Sequence, residues 1–365
     1  MTGFSGSMRV SRRGRVTWVA VALALLVMVS PLGIAGCSCA VEEEPAPAPV
    51  VPEEPGQPSG ETGEPEWYEQ ESGTSVQLND VYFIDEATGW AVGGDDGGVI
   101  LSTSDGGQTW TQRYAREAGV LYGVFFLDAE TGWAVGDDMA VATGETGVAN
   151  VLRTTDGGET WRSSDTNTLR RVEDVCFVDA STGYCVAWAS QVFKSTDGGA
   201  TWQQLEHDFP SPSDHFIAVN FTDADTGWVA GGVNKVMATS DGGRTWVLLD
   251  LGGDNIFPAG VQFLGADTGW VAGSGGIAAT TDAGRTWVVQ DTAHYNAVHF
   301  VDAENGWAVG GGGRISATTD GGTTWLEVRG STAGGPALHG VHFPDTENGW
   351  AVGDEGSVLR FGIRP

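Results

Sequence analysis

Cysteine and histidine side chains are the residues of this sequence with the greatest capacity for chemistry. Cys176 and Cys185 stand nine positions apart, and strand alternation is expected to place them opposite each other on one hairpin, facing the same side. In an oxidising compartment they could form a disulfide that contributes about 2–3 kcal/mol; the alternative is a pair of buried thiols. The histidines near the C-terminus lack the spacing of metal ligands: His294, His299, His339 and His342. We therefore expect a candidate disulfide, and neither a metal site nor another cofactor.

The N-terminus has the layout of an export signal, because an apolar run from Val16 to Ile34 follows a cluster of four arginines. The run ends in Ile34-Ala35-Gly36-Cys37, which resembles the lipobox of bacterial lipoproteins, in which the cysteine is lipidated. We expect residues 1–36 to be a lipoprotein signal peptide. The lipid on Cys37 would anchor the exported protein outside the cytoplasmic membrane, or on the periplasmic or outer-membrane side. A plain transmembrane anchor is the alternative, since about 19 apolar residues can span a bilayer.

The segment that follows the signal differs in composition from the rest of the chain. Residues 37–65 are rich in Glu, Pro and Gly and contain almost no large apolar side chains. Such a segment cannot bury enough surface to offset the entropy of ordering. We expect it to be a disordered acidic tether.

The remainder of the chain is built from repeats. The phrase Thr-Gly-Trp-Ala-Val-Gly, or a variant of it, occurs seven times at intervals of 37 to 51 residues. Apolar residues two positions apart, such as Val81 and Phe83, indicate strands. Periods near 40 residues with short alternating segments are typical of four-stranded propeller blades. We expect an all-β, seven-bladed β-propeller over residues 66–365.

A second phrase, Ser/Thr-x-Asp-x-Gly-x-Thr-Trp, follows each of the first six copies. It is identified as the Asp-box, or BNR repeat, of sialidase-like propellers, in which the Asp closes its own turn and the Trp folds back onto the hairpin. These residues are expected to be structural: Asp105, Trp110, Asp156, Trp161, Asp197, Trp202, Asp241, Trp246, Asp282, Trp287, Asp320 and Trp325.

The seventh unit has no Asp-box, and the N-terminal segment is expected to complete it. Trp67 stands 14 residues before Val81, and Trp110 stands 14 residues before Val124. Glu66-Trp67 therefore occupies the position of an outer strand. Pairing of this strand with the last blade would close the ring and remove the open edges of the repeat array.

The two faces of the disc differ in how much their loops vary. With strands A to D named from axis to rim, the A–B and C–D turns share one face, and the D–A and B–C connections share the other. The D–A connections vary, with 11 to 17 residues from Trp to the next strand-A Val. Variable loops on a rigid scaffold usually carry function, so we expect partner binding on the D–A/B–C face. The candidate contacts are Asp137, Asp138, Glu145, His207, Asp208, Phe209, Asp214, His215, Asp254 and Phe257. The alternative is that these loops are tolerated insertions without a ligand.

Charge and motif content limit the chemistry of this protein. With 18 Lys+Arg against 48 Asp+Glu, the net charge is −30, which repels phosphate backbones and excludes a nucleic-acid partner. A sialidase-like site needs converging arginines, a Tyr-Glu pair and an acid, but only Arg170 and Arg171 lie near the start of an inner strand. Other hydrolase motifs are absent. We expect no catalytic residues and no enzyme.

The pairing of the two phrases resembles the photosystem II stability/assembly-factor-like propellers over about residues 66–363. This resemblance implies a monomeric, non-catalytic, protein-binding scaffold, or an assembly and stability factor for an envelope or membrane complex. The identity of the protein partner is left open. A carbohydrate-binding or sialidase/glycoside-hydrolase-like module of the cell surface is the alternative.

Overall fold

The structure is a computed structural model, which describes residues 64–116, 119–137, 151–164, 171–208, 215–252 and 255–364. These residues form seven four-stranded antiparallel sheets and two short 3₁₀ helices. The strands in chain order are β1 (Glu66–Gln70), β2 (Leu78–Phe83), β3 (Gly89–Gly94), β4 (Gly98–Thr103), β5 (Thr111–Ala115), β6 (Leu121–Phe126), β7 (Gly132–Gly136), β8 (Val151–Thr154), β9 (Arg162–Ser164), β10 (Val172–Phe177), β11 (Gly183–Ala187), β12 (Gln191–Ser195), β13 (Gln203–Leu205), β14 (Phe216–Phe221), β15 (Gly227–Gly231), β16 (Lys235–Thr239), β17 (Val247–Asp250), β18 (Phe257–Leu264), β19 (Thr268–Ser274), β20 (Gly276–Thr280), β21 (Val288–Asp291), β22 (Ala297–Phe300), β23 (Gly306–Gly310), β24 (Arg314–Thr318), β25 (Leu326–Arg329), β26 (Leu338–His342), β27 (Gly349–Gly353) and β28 (Val358–Gly362). The 3₁₀ helices are Gly311–Gly313 and Asp354–Gly356.

The predicted seven-bladed, all-β propeller is confirmed. Blades 1 to 6 each take four consecutive strands, beginning at β2, β6, β10, β14, β18 and β22. Blade 7 has the order β1-β28-β27-β26, so the N-terminal strand supplies its outer edge as expected. Trp67 pairs with Phe361 across this junction, which joins the two ends of the ring.

One aromatic arrangement fastens each blade to the next. The B-strand aromatic of a blade stacks flat on a strand-A Phe of the following blade, with ring centroids 3.4–3.6 Å apart. Such pairs contribute about 0.5–1.5 kcal/mol each beyond their burial. The seven pairs are Trp90–Phe126, Trp133–Phe177, Tyr184–Phe221, Trp228–Phe263, Trp270–Phe300, Trp307–Phe343 and Trp350–Phe83.

The same Phe receives a second aromatic ring from its own blade. Each Asp-box Trp meets it edge-on; for Phe83 and Trp110 the centroids are 5.9 Å apart at 90°. In blade 7 the edge-on ring is Trp67, 5.7 Å from Phe343. A Cβ at Gly89 would lie 2.5 Å from the Phe83 ring, so the glycine of Thr-Gly-Trp makes room for this packing.

Each Asp-box is closed by hydrogen bonds of its own residues. In the fourth box the Asp241 carboxylate accepts the Thr245 N–H at 2.8 Å and the hydroxyls of Thr245 and Thr239 at 2.6 and 2.9 Å. Hydrogen bonds from Thr245 lower the pKa of Asp241 to about 2. A B-strand indole also bonds to the Asp-box of the next blade, since Trp90 Nε1 donates to Gly157 O at 2.9 Å. The boxes therefore stabilise turns and interfaces between blades.

The expected disulfide between Cys176 and Cys185 is wrong in this structure. Both side chains are buried free thiols. The register pairs Cys185 with Val175 and pairs Cys176 with Tyr184, so the two thiols stand one position out of register. A shift of one residue moves a side chain to the opposite face of a sheet, and each thiol packs into a different core between blades. Burial raises the pKa of both thiols.

The expectations for the N-terminal region concern residues outside the described part of the chain. These are the signal peptide, residues 1–36, the lipidated Cys37 and the tether up to residue 63. The tether's last two residues, Glu64 and Pro65, lead directly into β1. None of the described residues forms a helix long and apolar enough to cross a membrane.

Closure of the ring predicts a large effect of Trp67→Ala on stability. Removal of this indole deletes the edge-on partner of Phe343 and a contact with Phe361, so we expect the free energy of unfolding to fall by about 2–4 kcal/mol. Leu326→Ala on the outer strand β25 is the control, because Leu326 is 70% exposed and its truncation should change stability by about 0.5 kcal/mol or less. Urea unfolding measures both. Equal effects of the two variants would contradict closure through β1.

Candidate functional site

A bulge near the start of the inner strand turns one side chain of each blade toward the axis. In six of the seven blades the A–B register shifts by one residue there, as between Leu78 and Asp80 in blade 1. A bulged residue is left out of the ladder and its side chain is re-aimed. In blade 6 the corresponding Asn296 precedes β22 directly.

The seven side chains at this position line one cavity of about 370 Å³, which we call the axial funnel. They are Asn79, Tyr122, Glu173, Ile217, Ala259, Asn296 and His339. Because inner strands begin at the D–A connections, the funnel opens on the D–A/B–C face. Its wall is polar over blades 6, 7, 1, 2 and 3 and apolar at Ile217 and Ala259 of blades 4 and 5.

A second ring of side chains packs deeper, three residues further along each inner strand. The His342 ring lies 4.3 Å from Tyr82 and 4.4 Å from His299 between centroids. Burial lowers the pKa of His299 to about 4 and that of His342 well below its usual value, so both are neutral at pH 7. His342 Nδ1 accepts the Phe83 N–H at 3.3 Å. In the part of the chain that the structure describes, no three His, Cys, Asp or Glu side chains are grouped to hold a metal ion.

The side of the funnel formed by blades 2 and 3 holds an ion pair. Glu173 is 6% exposed; Arg171 Nε lies 2.6 Å from its Oε1, and Arg171 Nη2 donates to its Oε2 at 3.0 Å. Trp188 Nε1 also donates to Glu173. Burial raises the pKa of Glu173, and the Arg171 charge opposes that rise. The carboxylate is therefore held in a fixed position between a cation and an indole.

Aromatic rings enclose the cation of this ion pair. The Arg171 guanidinium carbon lies 3.5 Å from the Tyr122 ring centroid and 5.2 Å from that of Trp188, as in cation–π contacts. Tyr122 donates its hydroxyl proton to Asp137 Oδ2 at 2.6 Å. Burial, followed by this hydrogen bond, raises the pKa of Tyr122. The result is a rigid platform at the mouth of the funnel.

Trp188 stands on a strained turn that is supported by two histidines. Ala189 and Ser190 have φ of 60° and 58°, a conformation that costs non-glycine residues free energy and is typical of functional sites. His215 Nδ1 accepts the Ala189 N–H at 3.1 Å, and His207 Nε2 donates to Ser190 O at 2.6 Å. The Trp188 ring stacks on His215 and remains 39% exposed.

Two aspartates beside the bulges link neighbouring inner strands. Asp80 accepts the N–H groups of Val81 and Val124 at 2.8 and 2.9 Å. Asp174 in blade 3 makes the equivalent bonds to blade 4. Burial raises the pKa of Asp80 to about 7 and that of Asp174 to about 6. Both carboxylates are therefore already occupied as acceptors of backbone hydrogen bonds.

The structure brings three of the predicted contacts together beside the funnel. Asp137, His207 and His215 all surround the Tyr122–Arg171–Trp188 platform. Asp208 is exposed next to His207, and Phe257 begins β18 in blade 5 with 51% of its surface exposed. The other predicted contacts lie outside the described residues: Asp138, Glu145, Phe209, Asp214 and Asp254.

Sequence reasoning missed the ring of bulge residues and the role of Trp188. All seven bulge residues stand two positions before the strand-A valine, as Tyr122 stands before Val124. Alignment of the seven units on that valine would have revealed a position that varies freely between polar, acidic and apolar residues. The strained turn gives a weaker signal: the B–C turn of blade 3 has no glycine where blade 6 has Gly312 and Gly313.

The comparison with protein families gives one match. The sequence profile described as photosynthesis system II assembly factor YCF48 matches residues 59–164, 153–296 and 288–362. Together these matches cover the whole propeller. No curated protein matches the sequence.

Several solved structures share the fold at low identity. A structure described as YCF48 bound to D1 peptide is 20% identical, with a TM-score of 0.64, and the match covers 84% of this chain and 97% of that chain. YCF48 from Cyanidioschyzon merolae is also 20% identical, with a TM-score of 0.62 and coverage of 81% and 98%. The GH74 enzyme of Niastella koreensis is 16% identical, with a TM-score of 0.55, and 52% of its length is covered by 79% of this chain.

The raised pKa of Asp80 predicts a pH-dependent effect of Asp80→Asn. Between pH 3.8 and about 7 the unfolded chain releases this proton before the folded protein does, so the wild type loses stability as pH rises through that range. The stability of the variant relative to wild type should therefore rise by about 1–3 kcal/mol from pH 5 to pH 8. Urea unfolding at both pH values measures the difference.

Asp105→Asn is the matched control for this experiment. Hydrogen bonds from Thr109 and Thr103 outweigh desolvation and lower the pKa of Asp105, and the stability from a lowered pKa is lost only as pH falls below the unfolded value. Its effect should be the same at pH 5 and pH 8. A constant difference for Asp80→Asn as well would show that Asp80 is ionised throughout this range.

Proposed function

Because the chain belongs to the family of photosynthesis system II assembly factor YCF48, we propose that it is a non-catalytic, protein-binding propeller. In this proposal it is exported, anchored by a lipid, and assists the assembly or stability of an envelope or membrane complex. Its partner binds over the axial funnel on the D–A/B–C face. The observation that carries the proposal is the exposed Trp188 on its braced turn at the funnel mouth.

The platform has the composition of a binding hot spot. Trp, Tyr and Arg are the residues that contribute most to protein interfaces, particularly where they are held rigid beside a pocket. Here the Arg171 guanidinium lies against the rings of both Trp188 and Tyr122. Glu173 holds Trp188 and Arg171, and Asp137 holds Tyr122, through hydrogen bonds. A partner that covers Trp188 would lose little side-chain entropy on the propeller side.

A relative in the same family supports a polypeptide ligand. The structure described as YCF48 bound to D1 peptide holds a peptide on a propeller of the same fold. We infer that this chain also takes a segment of a partner protein. The funnel, about 370 Å³ in volume, has room for a few side chains of such a segment.

The arrangement of the acids supports a binding role rather than hydrolysis. A glycosidase needs one carboxylic acid and one free carboxylate that flank the scissile bond. Glu173 is occupied by Arg171 and Trp188, and Asp80 and Asp174 each accept two backbone N–H groups. Glycan binding without protein capture would support the alternative of a carbohydrate-binding module.

The attachment point of the N-terminal segment is compatible with an anchored protein whose funnel is free. β1 is an outer strand, and outer strands run from the Asp-box face to the D–A face. Residue Glu66 therefore stands at the Asp-box face, opposite the funnel. The described part of the chain therefore enters the disc on the side away from the binding face.

Partner binding is expected to depend on Trp188. We expect Trp188→Ala in the full chain to reduce partner recovery by about tenfold or more in affinity capture with mass-spectrometric identification, because the exposed indole is removed. Leu326→Ala on the rim is the control and should capture the same partner as wild type. Undiminished capture by Trp188→Ala would place binding elsewhere, and clear glycan binding with no protein partner would overturn the proposal.

Lipid anchoring is expected to depend on Cys37. The full chain with Cys37→Ser should not be acylated and should leave the membrane fraction, because the lipid-bearing thiol is lost. Cys39→Ser provides the matched control and should remain in the membrane fraction. Metabolic labelling with palmitate and detergent-phase partitioning measure both variants; a membrane-bound Cys37→Ser protein without label would indicate a transmembrane anchor.

A further inference from the structure

The inner strand of each blade directs backbone N–H groups toward the axis, and two aspartates bind some of them. The N–H of the strand-A valine is one such group, since Val124 N donates to Asp80 across the boundary between blades 1 and 2. Asp80 and Asp174 together accept the valine N–H groups of blades 1 to 4, at 2.7–2.9 Å. For the strand-A valine N–H groups of these four blades, the acceptor is thus a carboxylate.

Blades 5 to 7 present the same donors without such an acceptor. The positions equivalent to Asp80 are Gly260, Ala297 and Gly340. In a strand, N–H groups two residues apart point to the same side. Phe263 N and Phe300 N, two residues after Val261 and Val298, donate to side chains of the preceding blade at 3.0 and 2.6 Å. The valine N–H groups of these blades are therefore oriented as in blade 2. Among the described residues, no side chain accepts the N–H of Val261, Val298 or Val341.

The space beside Gly260 can hold an acceptor for the N–H groups of Val261 and Val298. A Cβ placed there would have Val298 N as its nearest atom, at 3.7 Å, which is an ordinary contact. At Gly340 a Cβ would lie 2.8 Å from Asp80 Cα, so that side is filled. Gly260, Val261, Ala297 and Val298 all line the funnel. The two donors therefore face open space that is continuous with the binding face.

We propose that the axial funnel binds a carboxylate of the partner, which accepts the N–H groups of Val261 and Val298 as Asp80 accepts those of Val81 and Val124. This inference rests on the proposed function and specifies its ligand chemistry. The carboxylate belongs to a chain terminus or to an Asp or Glu side chain. Backbone N–H groups that converge in this way bind anions with charge-assisted hydrogen bonds.

The charges around the funnel permit an anion despite the acidic composition of the chain. Glu173 is paired with the Arg171 guanidinium, and Asp354 Oδ1 accepts a hydrogen bond from His339 Nε2 at 2.7 Å. The raised pKa values of Asp80 and Asp174, about 7 and 6, reduce their negative charge near neutral pH. The wall beside Gly260 is formed by the uncharged Ala259 and Ile217.

A titration of the isotopically labelled full chain with acetate tests the proposal, with acetamide as the neutral control. We expect acetate, and not acetamide, to shift the amide proton resonances of Val261 and Val298 in a saturable manner. Absence of a shift, or the same shift with acetamide, would overturn the proposal. This test needs no variant, so it does not depend on the folding of one.

Two variants at one position sharpen the test. Gly260→Asp supplies the carboxylate in cis and should weaken acetate binding by about tenfold or more and raise the melting temperature, because Val261 and Val298 gain an acceptor. Gly260→Ala adds a Cβ without an acceptor and should weaken binding by about threefold or less. Equal loss in both variants would indicate steric blockage and contradict the proposal.

Peptide probes identify the source of the carboxylate and separate this inference from the proposed function. Acetyl-Gly-Gly carries a carboxylate at its free C-terminus, and acetyl-Asp-amide carries one on its side chain. The peptide that binds more tightly shows whether the partner's carboxylate is a chain terminus or a side chain. If Gly260→Asp still captures the protein partner in a Trp188-dependent manner, the carboxylate inference fails and protein binding stands. If the wild-type chain captures no protein, the proposed function itself fails.

Discussion

The propeller depends on one repeated interaction, the placement of a strand-A phenylalanine between two aromatic rings. One ring comes from the preceding blade and lies flat against it. The other comes from the Asp-box of its own blade, next to the outer strand, and meets it edge-on. The first ring joins blades and the second joins the axis to the rim, so a single side chain couples both directions of packing. The glycine of Thr-Gly-Trp is required because the ring occupies the place of its Cβ. Trp67 completes the seventh set from the other end of the chain.

Because these aromatic contacts hold the blades together, other positions in each blade are not needed for packing. The bulge position lies outside the ladder and outside the aromatic stacks, and it carries Asn, Tyr, Glu, Ile, Ala, Asn and His around the ring. Function in such a fold arises where the sevenfold pattern is broken. Blades 2 and 3 break it with Tyr122, Glu173 and the strained turn of Trp188. Blades 1 and 3 break it with Asp80 and Asp174, which are acceptors that blades 5 and 6 lack at Gly260 and Ala297.

The repeats made the fold predictable, whereas the site required contacts between blades. The spacing of Trp67 to Val81 predicted ring closure. Loop lengths predicted partner binding on the D–A/B–C face, which is the face on which the funnel opens. The disulfide prediction failed because the number of residues between Cys176 and Cys185 does not determine strand register. An error of one residue in the register places a side chain on the opposite face of the sheet. The link from Asp80 to Val124 could not be read from sequence, because the partners are 44 positions apart in different blades. Trp188 could be seen in the sequence, but no other repeat has a Trp at the equivalent position that would indicate its role.

In the proposed function, a partner protein binds over the axial funnel on the D–A/B–C face. Amide hydrogen exchange of the full chain, with and without its captured partner, tests this most directly, because binding slows exchange at the covered backbone. Binding at this face should protect the starts of the inner strands and the turn of Trp188, Ala189 and Ser190, and should leave the Asp-box turns unchanged. Protection confined to the Asp-box turns or to the outer strands β17, β21 and β25 would contradict it.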